Sequence, residues 1–263
     1  MSTADVTKAF ALEAELYDVM PGRRAQTDVA FYRDLVERHG GPMLELACGT
    51  GRVSIPCAKA AGEVVGVDLA PAMLAQARSR AEAEGVADVA SFVEGDMCTV
   101  RLDRTFPLVT MGGQPLFFLP TDEALKAALE TVRVHLAPGG RWATGVPVLH
   151  WEDLAAQQDR LLFVAEVRHP RTGQRVAVWD YTSVTEVTQV ATRRRITEIL
   201  DEDGLVLERR HSMQTLHYRH PAELQRLIRD AGFVFEEIHG SYQGAPFGPK
   251  ARQMVWVARA ADN

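Results

Sequence analysis

Leu44-Glu45-Leu46-Ala47-Cys48-Gly49-Thr50-Gly51-Arg52 is the stretch on which the fold turns. An apolar run short enough for one strand ends in two closely spaced glycines, and Arg52 to Ala61 then reads as a helix. Small residues at such a turn let a ligand lie directly on the backbone. Gly49 and Gly51 match the first two glycines of the dinucleotide-binding pattern G-x-G-x-x-G, but Ser54 stands where the third would be. Alone, the pair also fits a plain tight turn. The next strand strengthens the ligand reading: Val64-Val65-Gly66-Val67 ends on Asp68, 17 positions after Gly51, where a carboxylate can accept both hydroxyls of a ribose. A third strand, Val89 to Val93, runs into Glu94-Gly95-Asp96-Met97. Each acid has a plainer alternative, Asp68 as a helix cap before Pro71 and Asp96 as a solvated loop acid. Three such features at successive strand carboxyl ends favour a ligand site, because open α/β sheets bind ligands at that edge.

Working outward, short apolar runs alternate with helical patterns: strands at Met43 to Ala47, Glu63 to Val67 and Pro107 to Met111, and helices at Pro71 to Glu84 and Asp122 to Leu136. That rhythm specifies βαβ units and a parallel sheet. Thr121 is the expected N-cap of the last helix, and Pro138-Gly139-Gly140 the turn into a strand at Arg141 to Pro147. Before the sheet, residues 7 to 18 and 26 to 39 read as helices separated at Pro21-Gly22. Past Trp151 the rhythm breaks. Leu161 to Arg168, Arg175 to Val190, Thr192 to Leu200 and Leu205 to Tyr218 are Val- and Thr-rich and divided by Thr172-Gly173 and Asp203-Gly204, which predicts an antiparallel insertion. A helix at Pro221 to Ala231, closed by Gly232, and strands at Phe233 to Tyr242 and Gln253 to Ala260 finish the chain.

The expected fold is thus α/β: a doubly wound, Rossmann-like, mostly parallel seven-stranded sheet with an antiparallel last strand. Its expected organisation is an N-terminal helical cap (1–40), a cofactor-binding core (41–148), an antiparallel β insertion on the substrate side (149–220), and a C-terminal helix and two strands (221–263) completing the core sheet.

The 263 residues carry 46% hydrophobic and 24% charged side chains, a globular composition that excludes disorder, collagen and coiled coil. A net charge of −6 offers no basic field for nucleic acid or anionic lipid. Asp5, Glu13, Glu15 and Asp18 interrupt Met1 to Met20, unlike a signal peptide, and no run reaches the roughly 18 apolar residues of a membrane span. Cys48, Cys57 and Cys98 are odd in number and lack C-x-x-C spacing, so neither disulfides nor zinc are expected, and a reducing cytoplasm fits.

At this point the sequence resembles the class I S-adenosylmethionine-dependent methyltransferases, through E-L-A-C-G-T-G at 45–51, G-V-D-L-A-P-A-M-L at 66–74, E-G-D-M at 94–97 and H-L-A-P-G-G at 135–140. It is most similar to the small-molecule branch that includes sugar-amine N-methyltransferases. The resemblance implies S-adenosylmethionine as cofactor. Glu45, Ala47, Gly49 and Gly51 would line its methionine part, Asp68 would hold the ribose hydroxyls, and Leu69 and Met73 would flank the adenine. Asp96 would bond the adenine amino group with Met97 beside the ring, Met111 would offer backbone contacts to the cofactor amino group, and Tyr17 would fold over the sulfonium end. The family more often has glycine where Ala47 stands.

Methyl transfer from a sulfonium gains most from alignment and needs no metal, and Leu108 to Pro120 contains no carboxylate to hold one. Gln114 and Phe118 are candidate substrate contacts, and His150, just past the fifth strand, is the candidate general base, with a solvated loop histidine as the alternative. Trp179, two positions from Tyr181, is a further substrate-wall candidate or else sheet packing, and Arg193-Arg194-Arg195 a contact for a substrate anion or else a solvated face. The expectation is a methyltransferase for a small N or O acceptor, without nucleic acid or membrane partners and compatible with a homodimer. The alternatives are a cyclase of the same fold that converts the cofactor to azetidine-2-carboxylate and methylthioadenosine, and a non-catalytic cofactor-binding module.

Overall fold

The structure is a computed structural model and describes residues 3–21 and 28–261. In chain order the elements begin with α1 (Thr3–Glu13), α2 (Asp28–His39), β1 (Met43–Leu46), α3 (Ser54–Ala61), β2 (Val64–Asp68), α4 (Pro71–Ala83) and β3 (Ala90–Glu94). There follow β4 (Phe106–Met111), α5 (Asp122–His135), β5 (Leu136–Pro147) and α6 (Trp151–Gln157). The remainder is β6 (Leu161–Arg168), β7 (Arg175–Thr185), β8 (Val190–Leu200), β9 (Val206–His217), α7 (Pro221–Asp230), β10 (Phe233–His239) and β11 (Gln253–Ala260). The chain divides into two compact units, Thr27–Val148 with Arg219–Asn263, and Met1–Gln26 with Leu149–Tyr218.

The first unit is a seven-stranded sheet ordered β10-β11-β5-β4-β1-β2-β3. β1 to β5 run parallel, and β11 is antiparallel to both its neighbours, as the sequence leads one to expect. Strands β1 and β2 are buried through nearly their whole length, which is why they read as continuous apolar runs rather than alternating ones. Helices cover them. Thr121 caps α5 by accepting the Ala124 N–H at 3.2 Å, and Pro71 opens α4, where its missing N–H costs nothing. Trp142, Trp256 and Phe233 form an aromatic cluster, with centroids 5.1 and 5.5 Å from Trp142, that ties β5, β11 and β10 together. The chain order places the carboxyl ends of β1 and β4 side by side at the switch point where such sheets bind ligands.

The second unit is the antiparallel sheet β6-β7-β8-β9. Leu16 and Met20 pack on Val176 and Val178 on one of its faces.

Three local expectations are corrected. The helix expected over 7–18 stops at Glu13 and gives way to a 3₁₀ turn at Tyr17–Val19, with i to i+3 bonds such as Val19 N–H to Leu16 O, and the break turns Leu16 and Met20 onto the sheet. The turn between β7 and β8 falls at 186–189, where Gln189 takes φ +53°, rather than at Ala191; no Gly or Pro marks it in the sequence. Pro138-Gly139-Gly140 is drawn into the start of β5 as a register shift against β4. Helix α6, which no apolar periodicity announces, has no buried residue.

Candidate functional site

The glycine turn after β1 is built from left-handed residues: Ala47 at φ +56°, Gly49 at +56° and Gly51 at +73°. At Gly51 a Cβ would also sit 2.9 Å from Ile55 Cδ1, so the position excludes side chains twice over. At Gly49 a Cβ would meet nothing within 4 Å, so here the backbone faces open space. Two bonds lock this loop to the end of β2, Cys48 N–H to Val67 O (2.9 Å) and Gly49 N–H to Asp68 Oδ2 (2.8 Å), and Gly95 N–H to Asp68 O (3.0 Å) ties the end of β2 to that of β3.

Asp68 terminates β2 half-buried. Its other oxygen, Oδ1, accepts the Ala70 N–H at 2.8 Å. Burial pushes its pKa up, against the downward pull of the backbone N–H groups of Ala70, Gly49 and Leu69. Leu69, Asp96 and Met97 are half-buried at the same edge, and Asp96 Oδ1 accepts the Cys98 N–H at 2.8 Å. Met73, on the first turn of α4, is 2% exposed and belongs to the core.

Beneath the glycine turn lies a polar cluster. Glu45, 2% exposed, accepts the Ser54 N–H (2.8 Å) and the Ser54 hydroxyl through Oε2. Burial raises its pKa to about 7, against the bonds from Ser54 and the field of Arg52. Arg52 is held bidentately by buried Asp28 of α2, at 2.6 and 2.7 Å. At the end of β4 the Met111 carbonyl accepts both the Tyr32 hydroxyl (3.1 Å) and the Thr144 hydroxyl (2.7 Å), which uses both its lone pairs. The Tyr242 hydroxyl stands 3.5 Å from that of Tyr32, and burial raises the pKa of both phenols. Immediately after Met111, a Cβ on Gly112 would lie 2.8 Å from Glu45 Oε1 and 2.9 Å from Val53 Cγ2, so a side chain here would have to displace these buried neighbours.

Asp28, Arg52, Tyr32, Thr144 and Tyr242 were not singled out from the sequence. Arg52 directly follows Gly51, and Asp28 and Tyr32 share a helix face by their spacing of four, which were the available signals; nothing local marks Tyr242. Gln114 and Phe118 lie half-buried at the 3₁₀ turn Pro115–Phe118 that follows β4.

In the second unit, Tyr17 lines a small cavity with Glu13, Leu16, Met20, Val178, Arg195 and Thr197, its ring 6.4 Å from that of Phe10. Trp179 donates its indole N–H to Glu198 (2.9 Å) and stands edge-on to Phe163 at 5.1 Å. His150 flanks the start of α6. Of the basic run, Arg195 is bound by Asp180 (2.8 and 2.7 Å) and Glu13 (3.2 Å), and Arg194 lies over the Tyr181 ring. Among the described residues no group of three His, Cys, Asp or Glu could hold a metal, and no helix is long and apolar enough to cross a membrane.

A doubly wound sheet with a glycine turn and a carboxylate on the following strand, both at the switch point, defines a Rossmann-like α/β enzyme that uses a nucleoside-containing cofactor. Residues 43–140 match the methyltransferase domain family. The chain is 29% identical to a cypemycin N-terminal methyltransferase of a Streptomyces species, over 98% of each chain. It is also 29% identical to the dTDP-3-amino-3,4,6-trideoxy-α-D-glucopyranose N,N-dimethyltransferase of Streptomyces venezuelae, over 88% of this chain and 94% of the relative. Among solved structures, the CcbJ methyltransferase from Streptomyces caelestis superposes with a TM-score of 0.80 at 25% identity, over 97% of this chain and 98% of that one. The chain belongs to the class I S-adenosylmethionine-dependent methyltransferases, and S-adenosylmethionine is its cofactor.

Proposed function

We propose that this enzyme methylates an amine of a small natural product, such as an amino sugar or the amino terminus of a modified peptide. The observation that carries the site assignment is Asp68: its Oδ2 accepts the Gly49 N–H and its Oδ1 the Ala70 N–H, which fixes the carboxylate at the strand end beside a glycine whose backbone faces open space. That donor and acceptor set fits a ribose diol lying across the loop. The amine as acceptor rests on the two full-length relatives, one named for a peptide N-terminus and one for an amino sugar.

On this reading Ala47, Gly49 and Gly51 support the methionine portion and Asp68 accepts the two ribose hydroxyls. Leu69 and Met97 form the walls of the adenine slot, with Met73 as the packed layer behind them, and Asp96 accepts from the adenine amino group. Met111 acts indirectly: its carbonyl is committed to Tyr32 and Thr144, so the peptide groups of Gly112 and Gly113 are those presented to the cofactor's ammonium. Glu45 shapes this floor from below.

The bound sulfonium supplies a methyl group already activated for displacement, so the protein's task is alignment, worth up to ~7 to 11 kcal/mol. Gln114 and Phe118 orient the acceptor, whose amine must lose a proton for its lone pair to attack.

Incubation with S-adenosylmethionine and a panel of amino sugars, peptide amines and phenols, read by mass spectrometry, tests the proposal. It expects one or two added methyl groups on an amine. Methylation of phenols alone, or methylthioadenosine formed with no acceptor present, contradicts it.

A further inference from the structure

We infer that Tyr242, in the loop between β10 and β11, is a positioning residue for the amino-acid end of the cofactor, acting through Tyr32 and the Met111–Gly112 peptide; this rests on the placement of the cofactor at this edge of the sheet. The Tyr32 hydroxyl has one hydrogen, and it goes to the Met111 carbonyl at 3.1 Å. The Tyr242 hydroxyl, 3.5 Å from that of Tyr32, is therefore the donor to the Tyr32 oxygen. Burial pushes the Tyr242 phenol up to about 12, so it keeps the proton that this bond requires. The chain thus runs from Tyr242 through Tyr32 to the Met111 carbonyl, on which the Thr144 hydroxyl is the second donor at 2.7 Å. With both lone pairs held the carbonyl is fixed in direction. A planar peptide carries its N–H opposite its C=O, so the Gly112 N–H is aimed by the same contacts.

The loop is built to deliver the hydroxyl to this point. A Cβ on Gly145 would lie 2.7 Å from the Tyr242 hydroxyl and 3.0 Å from its Cζ, so β5 leaves out a side chain where the phenol comes in. The ring stands edge-on to Phe31 and tilted to Tyr32, with centroids 5.5 and 5.9 Å away, both on α2. The loop itself is closed by Gly240 N–H to Ala245 O (2.6 Å) and Gly244 N–H to Ser241 O (3.1 Å). The Ser241 hydroxyl oxygen accepts the Gln243 and Ala245 N–H groups at 3.3 Å each. Packing on Phe31 and Tyr32 would be served by a phenylalanine. The hydroxyl adds a donor, and its place at the head of the chain gives that donor a use.

Titration calorimetry of wild type, Tyr242→Phe, Tyr32→Phe and the double variant tests the inference, with S-adenosylhomocysteine and with methylthioadenosine, which lacks the amino-acid end. Tyr242→Phe is expected to weaken S-adenosylhomocysteine about 3- to 10-fold, the worth of one hydrogen bond, and to leave methylthioadenosine unchanged. The double variant is expected to bind no more weakly than Tyr32→Phe alone, since both hydroxyls act on one carbonyl. If Tyr242→Phe fails to fold, Gly145→Ala, which drives a methyl group against the phenol oxygen, reads the same selectivity between the two ligands. Unchanged affinity, equal weakening of both ligands, or additive losses in the double variant overturn the inference and leave the cofactor's placement standing. A wild type that binds neither ligand overturns that placement, and the role of Tyr242 with it.

Discussion

Glu45→Gln isolates the least ordinary titration in the cofactor unit. In the folded chain Glu45 holds its proton to about pH 7, because burial outweighs the bonds from Ser54 and the pull of Arg52, whereas an unfolded glutamate titrates near 4.5. A carboxyl with a raised folded pKa binds more protons folded than unfolded throughout that interval. Its contribution to stability is therefore fully present below the unfolded value and is lost as pH rises through the folded value. Integrating the two titrations between pH 5.5 and 8 gives a loss of about 2 kcal/mol from this one group. Gln keeps an acceptor for the Ser54 N–H and hydroxyl but has no proton to lose. Urea unfolding of wild type and Glu45→Gln at half-unit pH intervals measures the effect as a difference of differences, in which all other groups cancel. The variant's stability relative to wild type is expected to rise by about 2 kcal/mol from pH 5.5 to 8. Parallel profiles would refute the reasoning and return Glu45 to an ordinary carboxylate.

Arg52→Ala strands Asp28, whose side chain is 4% exposed, and is expected to cost about 3 to 5 kcal/mol in urea unfolding, most of it recovered in the double variant Asp28→Asn/Arg52→Ala. Tyr32→Phe removes one of the two donors on the Met111 carbonyl: a loss of about 1 kcal/mol in stability is expected, with a raised KM for S-adenosylmethionine and little change in kcat. Gly51→Ala forces a Cβ into the left-handed region and against Ile55, so a stability loss of about 1 to 3 kcal/mol and a weakened cofactor complex should appear in thermal shift and calorimetry.

The parallel half of the molecule was legible because its information is local. Buried strands read as apolar runs, Thr121 announces α5, and the Gly49, Gly51 and Asp68 spacing marks the switch-point edge. The four antiparallel strands were legible for the same reason, from turn dipeptides and β-branched runs, and the one turn misplaced lies where a Gln takes a left-handed φ without a glycine to signal it. What the sequence hid is long-range. Tyr242 reaches Tyr32 across 210 positions, and Thr144 reaches the Met111 carbonyl across 33, contacts that exist only once the strand order is fixed. Met73 illustrates the opposite limit: the family resemblance implies an adenine contact for it, whereas its side chain, on the first turn of α4, is 2% exposed and packs in the core.

Asp68 is the side chain on which the cofactor's placement depends most directly, and titration calorimetry of wild type and Asp68→Ala with S-adenosylhomocysteine tests that placement. Loss of the charge-assisted contacts to the ribose predicts a weakening of about 1.5 to 3 kcal/mol, roughly 10- to 150-fold in Kd, for a variant that still folds. Equal affinities for wild type and a folded Asp68→Ala would contradict the placement of the cofactor on this edge of the sheet.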